Sequence, residues 1–111
     1  MRYLISFDDG TMIFPAEDLP EVSAATRQVV AEAKDAGVWI FGGGLLSQRA
    51  SIVAPDGTVA DGPYPETKAV LGGFSIIEVP SRAGALAWAA KLAVACRCAQ
   101  EVREIMYDPD S

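Results

Sequence analysis

The stretch Gly73-Phe74-Ser75-Ile76-Ile77-Glu78-Val79-Pro80-Ser81 (73–81) holds a strand, its end and the start of a helix. Phe74, Ile76 and Glu78 alternate with Ser75, Ile77 and Val79, the period-two pattern of a strand with two distinct faces. Pro80 cannot donate to a sheet ladder and ends the strand. Ser81 can accept from the free N–H groups of a first helical turn. The Ala- and Leu-rich residues that follow predict a helix to about Leu92, with Arg82 and Lys91 its only charges. A helix apolar all round calls for a second buried face, such as a subunit contact. Alternatively, its alanines are present simply as good helix formers.

The N-terminal half carries the same order. Arg2 to Phe7 alternates, with Tyr3, Ile5 and Phe7 on one face, and Asp8-Asp9-Gly10 breaks the strand. Asp18 is the expected cap of a first helix, with Pro20 in its first turn and Glu21 three residues after the cap. Val22, Ala25, Thr26, Val29 and Ala33 recur at helical spacing, and Gly37 suits the left-handed residue that closes a helix ending near Ala36. Val38 to Phe41 predicts a second strand. Gly42-Gly43-Gly44 lacks the Lys-Ser/Thr of a phosphate loop and reads as a bulge or close backbone approach. Ser51–Ala54 and Thr58–Ala60 flank Pro55-Asp56-Gly57, a hairpin with a strong turn signal. Cys98 to Tyr107 predicts the last strand, on which Glu101 and Arg103 share a face.

Two βαβ halves with a hairpin between them predict an α+β fold: a ferredoxin-like βαββαβ with an extra hairpin, as a single domain over residues 1–111. Both helices would lie on one face of an antiparallel sheet. The other face carries Tyr3 or Leu4 and Ile76 or Ile77, with no third helix to cover it. An uncovered apolar face of that size predicts a homodimer stacked sheet to sheet.

Composition excludes several chemistries. The 111 residues include no histidine, which removes Ser/His and Cys/His nucleophile pairs and histidine-ligated metals. Cys96 and Cys98 are too few for a structural zinc site and, two apart on a strand, are poorly placed for a disulfide, so buried free thiols are expected. No metal and no cofactor are expected. Fifteen acidic against nine basic residues give a formal charge of −6, which disfavours nucleic acid and anionic membranes as partners. The absence of a basic-then-apolar leader and of a long apolar run predicts a cytoplasmic protein.

Residues 61–74, DGPYPETKAVLGGF, followed by SIIEVPS, resemble the DGPF signature of the YCII-related family, with Tyr64 where the signature has Phe. MRYLISF, the helix ending in AG before VWI, Gly44-Leu45, ALAWAAKL and EVREIM resemble the family in order and spacing. The resemblance implies a ferredoxin-like fold forming a dimeric α+β barrel. Some relatives resemble lyases, among them a dehydrochlorinase of a chlorinated hydroquinone, and the resemblance implies a His–Asp pair as acid and base in those relatives. The residue matching that histidine is Thr26, and Leu92 or Ala93 corresponds roughly to the aspartate. A threonine hydroxyl cannot shuttle protons at neutral pH as an imidazole does.

The remaining polar residues supply the candidates. Asp61 and Glu78 are the candidate catalytic carboxylates. Asp61, Glu66, Lys68 and Arg103 are the candidate ligand contacts. Glu78 shares a strand face with Phe74 and Ile76, where burial would raise its pKa towards that of a general base. The alternative is an exposed strand end, or an ion pair with Arg103 or Lys68. Two functions are consistent with this pattern. One is a small dimeric ligand-binding protein with lyase- or isomerase-type activity on a small organic compound. The other, implied by relatives found beside or fused to sigma factors, is a non-catalytic accessory protein in transcription initiation.

Overall fold

The computed structural model describes residues 1–46, 50–61 and 71–111. In chain order the elements are β1 (Arg2–Asp8), a 3-10 turn (Ala16–Asp18), α1 (Leu19–Asp35), β2 (Trp39–Gly44), β3 (Ser51–Val53), β4 (Val59–Asp61), β5 (Leu71–Glu78), α2 (Arg82–Cys96) and β6 (Glu101–Glu104). β2, β5, β1 and β6 form one antiparallel sheet in that order, and β3 and β4 form a second, two-stranded sheet. This mixed α+β arrangement, two βαβ units interleaved in one sheet, is compatible with the ferredoxin-like fold. Among the described residues no helix is long and apolar enough to cross a membrane.

The β1–β5 register sets the two faces. Tyr3 lies opposite Ile77 and Leu4 opposite Ile76. Tyr3 and Ile77 turn to the helices, where with Ile5, Val79, Ala85, Ala89 and Leu92 they form the core. Leu4 and Ile76 turn to the other face beside Phe41 and Phe74, whose ring centroids are 5.9 Å apart. Phe41 is 62% exposed. On α2, Ala85, Ala89, Leu92 and Cys96 make the buried stripe, and the outer face carries Ala83, Ala87 and Ala90 with Leu86 and Val94 exposed.

Four local expectations are corrected. Asp18 does not cap α1: its own backbone is helical, because the preceding 3-10 turn leads directly into α1. Its carboxylate instead accepts from Arg97 Nη1 at 2.8 Å. α2 continues past Leu92 to Cys96 and ends at Arg97, which takes the left-handed conformation (φ 58°) usually left to glycine. Cys96 is therefore helical, and the last strand is shorter than 98–107, covering Glu101–Glu104. Finally, the glycines are regularly paired residues of β2 and carry no bulge. The register shift lies earlier, between Trp39 and Phe41.

Gly42 does make the close approach that the glycine run suggested. A Cβ there would sit 2.6 Å from the Phe74 carbonyl oxygen and 2.9 Å from the Trp39 ring. Gly72 and Gly73 likewise lie under the Phe7 ring, where a Cβ would come within 2.8 and 2.7 Å. The Asp56-Gly57 turn forms as expected, with Gly57 at φ 87° and the Thr58 N–H donating to Asp56 Oδ1 at 2.9 Å.

Two glycine substitutions should therefore change stability in opposite directions. Gly42→Ala forces backbone apart in the sheet and should lose about 1–3 kcal/mol. Gly84→Ala, in the first turn of α2, meets only ordinary contacts at 3.6–3.9 Å. It should gain about 0.5–1 kcal/mol from the lower helix propensity of glycine. Urea midpoints of the two variants against the parent check both signs.

Candidate functional site

α1 does not sit flush on the sheet. Leu19, Val22, Ser23, Thr26, Arg27 and Val30 follow the i, i+3, i+4, i+7 spacing of one helix face and line the upper wall of a cavity of about 340 Å³. Gly42, Gly43, Gly44 and Ser75 line the sheet side, with Phe7 and Trp39. Leu92 and Cys96 of α2, and Gln100 beyond it, line the remainder. The cavity exists because β2 has no side chains where it passes beneath α1. Gly42 and Gly44 differ in this respect. The first has no room for a Cβ, whereas at Gly44 a Cβ would meet nothing nearer than the Gly72 carbonyl oxygen at 4.0 Å. Gly44 leaves space that a side chain could fill.

The cavity carries few polar groups. Thr26 Oγ1 donates to the Val22 carbonyl at 2.9 Å, within its own helix, and lies 3.8 Å from Cys96 Sγ. Cys96 is buried, and desolvation pushes its thiol above the ordinary range. The Thr26 contact opposes that shift, and the nearby Cys98 adds to it. Gln100 Nε2 donates to the Cys98 carbonyl and Sγ at 3.5 Å. At neutral pH the lining therefore presents hydroxyls, the Gln100 amide, a neutral thiol and one cation, Arg27. It suits a small, mostly apolar molecule oriented by a few hydrogen bonds. Among the described residues no group of three or more His, Cys, Asp or Glu side chains could hold a metal ion.

The structure does not gather the carboxylate candidates around this cavity. Glu78 is at the end of β5, exposed, and paired with Arg2 at 3.9 Å. Arg103 pairs with Glu101 on β6, as their two-residue spacing suggested, and both are exposed. Asp61 ends β4 and accepts a hydrogen bond from Ser51 across the hairpin. Glu66 and Lys68 lie outside the described residues. Thr26 and Leu92, by contrast, come from different helices and both line the cavity. Sequence reasoning missed Ser23, Arg27, Ser75 and Cys96. The helical spacing around Thr26 would have found the first two. Ser75 and Cys96 required knowing which strand face and which helix length the fold adopts.

The family profile of the YCII-related domain matches residues 1–107. The chain belongs to this family. Among solved structures, it is similar to 5-chloro-2-hydroxyhydroquinone dehydrochlorinase from Burkholderia phenoliruptrix in complex with 2,5-dihydroxybenzoquinone. The two share 16% identity with a TM-score of 0.57 over 99% of this chain and 98% of that one. At that identity the likeness shows a shared fold. Among curated proteins none matches the chain.

The buried thiol has a consequence for alkaline stability. Above the ordinary thiol value of 9.0, the unfolded chain holds Cys96 as thiolate while the folded chain keeps it protonated. The unfolded state then binds fewer protons, so stability falls as pH rises. Tyr3, raised above its ordinary 10.0 chiefly by burial and then by Glu104, adds a second loss at higher pH. Urea unfolding between pH 8 and 11 should show the decline starting near pH 9, and in Cys96→Ala the first part of that decline should disappear.

Proposed function

We propose that this family member binds a small organic molecule in the cavity between α1 and the sheet and carries out lyase- or isomerase-type chemistry on a small aromatic or carbonyl compound. The observation that carries the reading is the cavity itself: about 340 Å³, mostly apolar, with Thr26 and Leu92 converging on it from two helices. The dehydrochlorinase similarity supports the reaction class at the level of the family. Any proton transfer here uses a carrier other than imidazole, since the chain has none. Thr26 can position a ligand hydroxyl through its acceptor lone pairs, its proton being committed to Val22.

The reading predicts stabilisation by ligand. In a thermal-shift screen of small phenols and keto acids at millimolar concentration, at least one compound should raise Tm. At ten times Kd the gain is about 1.4 kcal/mol, a rise of several degrees. Gly44→Leu, which extends a side chain into open space, should abolish the shift while the protein stays folded. No stabilisation by any compound would count against the proposal.

The proposal includes a homodimer. Leu4, Phe41, Phe74 and Ile76 form an apolar face with no helix over it among the described residues, and stacking two such faces would remove it from water. Light scattering at low micromolar concentration should give twice the 11.7 kDa chain mass, and a purely monomeric mass overturns this part.

A second reading, a non-catalytic accessory protein, is favoured by the presence of Thr26 and Leu92 where the family resemblance implies an acid/base pair. Recovery of a sigma factor in pull-downs from native lysate, together with a ligand screen that yields no turnover, would support it over the first.

A further inference from the structure

Arg27 is the one charged side chain among the described residues that line the cavity. On α1, Glu21 is drawn to Arg97, and Glu32 to Lys91 and Gln28. The positions three and four residues from Arg27 are Ser23, Ala24, Val30 and Ala31, none of which can pair with it. Arg2, Arg97 and Arg103 each have a carboxylate partner, and Arg82, at the start of α2, does not line the cavity. Arg27 has no ion-pair or hydrogen-bond partner among the described residues, yet it is exposed at the rim of the cavity and contributes to its lining. None of the described residues lining that cavity is acidic. In a chain of net charge −6, a lone cation at the mouth of an apolar cavity gives the site a polarity opposite to that of the molecule as a whole.

We propose that the ligand of this site is a small organic monoanion, a carboxylate or phenolate on a single ring or a group of similar size. Its charge is held by the Arg27 guanidinium at the rim, and its apolar body lies against Phe7, Trp39 and Leu92. This deepens the small-molecule reading above and rests on it. The volume fits, since a cavity of about 150 Å³ suffices for benzene, and roughly twice that leaves room for substituents. The inner polar atoms fit as well. Thr26 Oγ1, with its own proton committed to Val22, is left as an acceptor, so a hydroxyl on the ring can donate to it. The guanidinium presents a planar fork that matches a carboxylate in two parallel hydrogen bonds, which a neutral amide of the same shape cannot reproduce.

The test compares benzoate with benzamide, matched in shape and differing in charge, by isothermal titration calorimetry on the full chain and on Arg27→Gln. Benzoate should bind the parent at least about tenfold more tightly than benzamide, the range expected for a charge-assisted hydrogen bond. Arg27→Gln should erase that preference, with benzoate losing at least about tenfold more affinity than benzamide. Raising the salt concentration should weaken benzoate more than benzamide. Equal binding of the two compounds to the parent overturns the assignment of Arg27 and leaves the cavity reading intact. No binding of either compound overturns both. A preference for benzoate that persists in Arg27→Gln places the anion site elsewhere and overturns the proposal.

Discussion

The central strand pair sets the geometry of this molecule. β1 and β5 run antiparallel from Arg2 opposite Glu78 to Phe7 opposite Gly73, and this register places Tyr3 and Ile77 together beneath the helices. A shift by one residue would exchange Tyr3 and Ile5 with Leu4 and Ser6 and bring the wrong face to α2. Because β2 then pairs with β5 and β6 with β1, the position of both edges follows from the centre. So does the site: Ser75 faces the cavity because Ile77, two residues further along, faces the core.

The cavity reflects uneven packing between the same two layers. Where α2 crosses the sheet, alanines let helix and strands approach closely, and Ala85 and Ala89 are buried. Where α1 crosses β2, the strand presents glycine, and α1 keeps its distance with Leu19 and Val30 among its cavity-lining residues. Small residues thus have opposite effects in the two places. Against α2 they close the gap. Beneath α1 they leave it open, because the larger α1 side chains and the Trp39 ring hold the layers apart.

Much of the fold could be read from local pattern. The alternation at 74–79, the Ser81 cap and the Pro55-Asp56-Gly57 turn are short-range signals, and each appears where expected, with Ser81 Oγ accepting from the Gly84 N–H at 3.2 Å. The errors came where a long-range contact overrides a local preference. Asp18 has the right chemistry for a cap, but an arginine 79 residues away takes its carboxylate. The end of α2 carries no glycine, so nothing in the local sequence marks Arg97 as the stop. The site was less legible than the fold. Charge drew attention to Glu78, Asp61 and Arg103, which solvent and nearby partners satisfy. The cavity is made from residues whose types are unremarkable alone and which meet only through packing: a threonine, two serines, a thiol, three glycines and an unpaired arginine.

Arg97 joins the two helices at an awkward position. Its backbone has the conformation that glycine adopts most easily, while its side chain reaches Asp18 and Glu21 at the start of α1. Each exposed ion pair is weak in isolation, worth about 1 kcal/mol or less. Their placement matters more than their strength. Fraying of the last turn of α2 would break its contacts to the start of α1, and Lys91 makes a second connection further along through Glu32. The ion pairs thus tie together two helices that both wall the same cavity, so the contacts that join the helices also border the site.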